Sequence, residues 1–153
     1  MKKILLLFVL LMLFGCSGYT PIYGQKNNSF YIEEIEYERN NNLSFEIVKK
    51  LKPYSLNPDL KKNNVILKIK IFEREDIISR NAQGDPLIFN LNIEAIIDFK
   101  TNKDFQVIIN ESFSFNNQSN KFELNQYKKN IKKNIASKIA DRIILELNKL
   151  NDS

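Results

Sequence analysis

The chain contains no histidine, no tryptophan and one cysteine, with only four glycines and four prolines in 153 residues. Without histidine, the usual general base near neutral pH and the commonest metal ligand are both missing. The lone cysteine, Cys16, leaves no internal disulfide and no thiolate zinc cluster. No Gly-rich phosphate loop is present. Acidic residues stand close together at Glu33-Glu34 and at Glu73, Glu75 and Asp76. Neighbouring acids on a strand edge or loop are expected to be solvated. The expectation is a protein that is not an enzyme, with no cofactor and no metal site. The formal charge of +5 falls to about +3 once Lys2 and Lys3 are set aside, too mild a balance to argue for a nucleic-acid partner.

Long apolar runs are also scarce, except at the start. Lys2 and Lys3 form a basic head, and Ile4 to Phe14 is an unbroken apolar run. That run has the length of a signal-peptide core and is too short to span a membrane as a mature helix. It ends in Leu13-Phe14-Gly15-Cys16, which resembles a bacterial lipobox. The resemblance implies a diacylglyceryl thioether on Cys16, cleavage before it, and acylation of the new amino group. One acyl chain gives marginal membrane binding, whereas three on one residue would hold the protein essentially permanently. Ser17 follows, where an Asp in such lipoproteins tends to mean retention in the inner membrane, so the implied location is the periplasmic face of the outer membrane. The division is then 1–15 signal peptide, 16–29 lipidated N-terminus and tether, and 30–153 a single α/β domain. Gln25-Lys26-Asn27-Asn28-Ser29 reaches less than about 20 Å when extended, so the domain works close to the membrane.

Within the domain the periodicities are legible. Phe30 to Glu38 reads as a strand with a phase shift near Glu33-Glu34. Leu43, Ile47, Val48 and Leu51 make a helical stripe, with Asn42 the expected N-cap and Pro53 the expected stop. From Tyr54 to Asn64 the chain reads as a connection. Val65, Leu67, Ile69 and Ile71 alternate with Lys68 and Lys70, and the pattern continues weakly to Arg80. After a loop at 81–85 with Gly84 for positive φ, alternation resumes from Leu87 to Phe99. A turn at 101–104 leads to a strand carrying Phe105, Val107, Ile109, Phe113 and Phe115, with Glu111 interrupting its apolar face. Short connections make these three strands an antiparallel meander. Asn120 with Glu123 resembles a capping box, and an apolar stripe from Tyr127 to Leu150 predicts one long helix. The order β-α-β-β-β-α, with one apolar face per element, predicts an α+β two-layer sandwich. Its four-stranded sheet carries both helices on one face.

Two basic features stand out. Lys128, Lys129, Lys132 and Lys133 are expected on the helix face away from Ile131 and Ile135, either solvated or touching anionic lipid. Arg74, Arg80 and Lys70 lie towards the far end of the second strand. They are the candidate lipopolysaccharide-binding residues, because guanidinium forks match phosphate geometry and a long hairpin tip could project towards a lipid. Local pairing with Glu73, Glu75 and Asp76 is the alternative.

After Cys16, the run Gly18-Tyr19-Thr20-Pro21-Ile22-Tyr23-Gly24 resembles the start of the lipopolysaccharide-assembly lipoproteins (the LptE family), especially the alphaproteobacterial ones, with Ser17 as an extra residue. Ser112-Phe113-Ser114-Phe115-Asn116 resembles the aromatic-Asn ending that precedes that family's long C-terminal helix. The resemblance implies a plug and assembly partner of a large outer-membrane β-barrel of the LptD type, with lipopolysaccharide itself as a ligand. A stand-alone envelope lipoprotein that binds lipid or serves another export system is the second reading.

Overall fold

A computed structural model describes residues 30–56 and 63–150. The lipobox, Cys16, the tether and part of the first connection lie outside the described residues. Strand β1 (Tyr31–Tyr37) leads to helix α1 (Asn42–Leu51) and a 3-10 turn (Lys52–Ser55). Strands β2 (Asn64–Arg80), β3 (Pro86–Lys100) and β4 (Phe105–Asn116) follow, and helix α2 (Lys121–Lys149) ends the domain. The sheet order is β1-β2-β3-β4, as expected for the sandwich. β1 pairs parallel to β2, and β2, β3 and β4 form the antiparallel meander.

β1 keeps its apolar residues on the core side only by slipping register between Ile32 and Glu34. That is the phase shift legible in the sequence, since one extra residue moves the alternation to the other face. Gly84 turns the β2–β3 hairpin with φ 87°, where a side chain would be strained. At the β3–β4 turn Asp104 accepts from the Thr101 N–H and from Lys100. The Lys100 hydrogen bond and charge hold this carboxyl below the ordinary carboxylate range. Phe99 and Phe105, opposite each other across the turn, stack at 4.4 Å.

The core is one cluster between the sheet and the helices. Val65, Leu67, Ile69 and Ile71 of β2, and Leu91, Ile93, Ala95, Ile97 and Phe99 of β3, face Ile47 and Leu51 of α1 and Ile135, Ile139 and Ile143 of α2. Both helices therefore cover one sheet face, and Lys50 Nζ of α1 donates to Ser137 Oγ of α2.

Helix ends correct the sequence reading in detail. The cap of α1 is Asn41, not Asn42: Asn41 Oδ1 accepts from the N–H groups of Leu43 at 2.9 Å and Ser44 at 3.2 Å. Pro53 ends the α-helix but not the helical path, because proline is tolerated in the first turn of the 3-10 segment. Asn120 caps α2 as expected, and its Nδ2 donates to Glu123 Oε1, so the pairing closes through side chains. Replacing Asn41 by alanine is expected to lower stability by about 0.5–2 kcal/mol. Asn42→Ala should cost much less, and urea titration of the two variants tests which asparagine holds the helix.

Candidate functional site

The length mismatch of the helices shapes the inner side. α1 has 10 residues and α2 has 29. The first half of α2 thus runs on beyond α1 and leaves a groove between them of about 960 Å³. Lys128, Lys129, Lys132 and Lys133 line it, together with Glu38, Glu46, Glu73 and the exposed ring of Phe45.

This is where two expectations change. β2 carries its inner face past Ile71 into Glu73 and Glu75, which point at α2. Lys132 Nζ lies 2.5 Å from Glu73 Oε1, and Lys128 Nζ lies 2.7 Å from Glu75 Oε1. These acids are therefore not simply solvated, and half of the lysine cluster is spent on them. Lys128 also sits 4.9 Å from the ring centre of Phe89 and 5.5 Å from that of Phe115, so a carboxylate and two aromatic faces stabilise one cation. Lys129 and Lys133 stay exposed. The pairs with Glu73 and Glu75 neutralise two of the four lysines, and Glu38 and Glu46 also line the groove, which weakens the local field that would draw a polyanion into it.

The outer sheet face is mostly polar, interrupted by the exposed Phe72 and by Ile96 opposite Ile108. Register brings three rows of side chains together: Phe72, Glu94 and Asn110; Arg74, Asn92 and Ser112; Asp76, Asn90 and Ser114. Asp76 Oδ2 accepts from Arg74 Nε and Asn92 Nδ2, both at 2.9 Å. Asn90 Nδ2 donates to Asn92 Oδ1 at 3.0 Å, and Asn90 Oδ1 accepts from the hydroxyls of Ser112 and Ser114 at 3.1 and 3.0 Å. One hydrogen-bonded network thus crosses three strands and fixes its amides in place. Beside it, Lys68 pairs with Glu36 at 3.1 Å, and Gln106 Nε2 donates to Asp98 Oδ1 at 2.6 Å.

The three basic candidates do not converge. Arg74 belongs to the outer-face network. Arg80 stands at the hairpin tip, where its Nη1 donates to the Gly84 carbonyl at 2.7 Å. The two arginines are six positions apart on β2, roughly 20 Å along the strand. Lys70 is exposed on the outer face and makes no ion pair among the described residues. Phe72 lies on this face with Lys68 and Lys70, as the β2 alternation predicts, while Asp76, Ser112 and Ser114 join it as residues that no sequence motif singles out. Continued past Phe72, the same alternation also places Arg74 and Asp76 there.

Two further grooves flank the free edge of β4 along α2. One, of about 380 Å³, runs past Ile108 and Leu145, and one of about 290 Å³ runs past Phe113 and Tyr127. At the opposite margin of the domain Tyr54 stacks on Phe30 at 5.5 Å, and burial, then the charge of Asp141, pushes its phenol above the ordinary value. Among the described residues no group of acidic, cysteine or histidine side chains is arranged to hold a metal ion, and no helix is long and apolar enough to cross a membrane.

The chain matches no protein-family model and no curated protein. Its fold does match solved structures. Rare lipoprotein B from Shewanella oneidensis is similar with a TM-score of 0.52 at 11% identity, over 77% of this chain and 96% of that one. A minor lipoprotein from Acinetobacter baumannii gives 0.57 at 10% identity, over 81% and 93%. Lipoprotein B from Nitrosomonas europaea, solved in solution, gives 0.57 at 10% identity, over 90% and 94%. At such identities the likeness is one of fold, and it extends over nearly the whole length of each of these proteins.

Proposed function

We propose that this protein is an outer-membrane lipoprotein of the lipopolysaccharide transport and assembly complex, anchored through Cys16 at the periplasmic face. There it serves as the plug and assembly partner of a large LptD-type β-barrel and as a contact for lipopolysaccharide. The observation that carries the reading is the outer sheet face. Its cross-strand polar network suits the polar lumen of an outer-membrane barrel. The lipobox, the short tether and the likeness of fold to solved lipoproteins support the same reading. Binding and positioning, rather than bond-making, are the tasks this side-chain inventory suits.

Co-purification tests it. With a tag on the C-terminus, mild detergent extraction is expected to recover a large outer-membrane barrel with the wild-type protein. Cys16→Ala is expected to leave the membrane fraction and to lose most of that barrel. Recovery of the lipoprotein without a barrel would remove this reading and leave the stand-alone lipoprotein.

A further inference from the structure

The network on the outer sheet face has spent some groups and left others. Asp76 holds the Nε of Arg74, and no other bond from Arg74 is present among the described residues, so its Nη groups keep their donors. Glu94 and Asn110 sit directly opposite each other on β3 and β4, and neither side chain makes a hydrogen bond or ion pair among the described residues. Phe72, on the neighbouring position of β2, leaves 56% of its surface exposed. These four surround a shallow recess of about 500 Å³, which Asn92, Ser112 and the neighbouring strand residues Glu73, Ile93 and Glu111 also line.

The contents of that recess select a ligand class. A carboxylate, a primary amide and a guanidinium together offer acceptors and donors in pairs, which is what vicinal hydroxyl groups require. An exposed ring beside them offers a flat apolar surface, which fits the C–H face of a pyranose. Charge argues against an anion, because Arg74 stands against both Asp76 and Glu94. The mutual bonding of Asp76, Asn90 and Asn92 holds the frame behind Arg74 before any ligand arrives, whereas Glu94 and Asn110 are ordered only on binding, at a cost in rotamer freedom. A few polar groups beside an apolar surface is the usual make-up of a small-ligand site.

The geometry points to this recess as a binding site for a neutral oligosaccharide, with Phe72 stacking on a sugar ring and Arg74, Glu94 and Asn110 bonding its hydroxyls. The site stands on this geometry, and only the choice of sugar rests on the function proposed above.

The test uses the full mature lipoprotein in a detergent without a sugar headgroup, titrated by calorimetry. The probe is the lipid-free, dephosphorylated oligosaccharide cut from an envelope lipopolysaccharide, and the same oligosaccharide with its phosphates retained is the second probe. The wild type is expected to bind both with similar affinity and little salt dependence. Phe72→Ala and Glu94→Gln are each expected to weaken binding about tenfold or more, a loss in the range for one ring contact or one charged hydrogen bond. Both side chains are exposed, so thermal melts of these variants should match the wild type, and Lys129→Ala in the α1–α2 groove should bind normally. No binding of the dephosphorylated probe, binding of the phosphorylated probe alone, or a Phe72→Ala variant within twofold of wild type would each overturn the proposal. Sugar binding without a co-purifying barrel would keep the site and remove the barrel reading, and the reverse result would do the opposite.

Discussion

Ile139→Ala is expected to cost the domain about 2–5 kcal/mol, the range for truncating a buried branched side chain and leaving a cavity. Ile139 is fully buried midway along α2, one turn from Ile135 and Ile143 and next to Ala140, which is also fully buried. The alanines let α2 approach its neighbours closely, so the space left by Ile139 cannot be refilled from beside it. α2 also packs against α1, and the cavity would loosen both helices. For a domain of this size such a loss is a large share of the total stability. Urea unfolding followed by circular dichroism should show a lower midpoint with an unchanged slope. Leu145→Ala on the same helix, with 49% of its side chain exposed, should fall within about 0.5 kcal/mol of wild type. A loss below about 1 kcal/mol at Ile139 would contradict the packing described here.

The second large effect is expected at the strut between β2 and α2. Glu75→Lys removes the partner of Lys128 and sets a second ammonium beside it, in a place where both side chains are mostly covered. A loss of about 1–3 kcal/mol is expected, below the cost of breaking a fully buried pair because water still screens this one. High salt should recover part of it by screening the repulsion. The exchanged double variant Glu75→Lys with Lys128→Glu restores opposite charges but should recover only part of the loss. Lys128 also lies over the rings of Phe89 and Phe115, and a carboxylate there would face their negative π surfaces. Full recovery by the exchange would show that the rings contribute nothing.

That strut marks a boundary of what sequence patterns reveal. The β2 alternation assigns Glu73 and Glu75 to the same face as Ile69 and Ile71, and the α2 periodicity assigns Lys128 and Lys132 to a polar flank. Neither pattern says that the two flanks meet, because the contact joins residues 53 apart and depends on how far each element extends. The outer-face network lies nearer the legible side. Counted from the pairing of Arg80 with Pro86, the β2–β3 register predicts Asp76 opposite Asn90 and Arg74 opposite Asn92, and the structure has both pairs. The two irregularities at Ser79 cancel, so the count survives them. The recess itself was not legible, since it also needs β4 in register and the spent and unspent groups to be told apart.

By itself the sequence determined the element order, the single apolar face of each strand and helix, the bulge in β1 and the caps to within one residue. These are local properties, set by alternation, helical periodicity and turn chemistry over a few neighbouring residues. Only the tertiary structure decided the parallel pairing of β1 with β2 and the groove left where α1 falls short of α2. It also decided the neutralising of half the lysine cluster and the gathering of Phe72, Arg74, Glu94 and Asn110 into one recess. Each of these depends on distances between segments far apart in the chain, which packing fixes and local pattern does not.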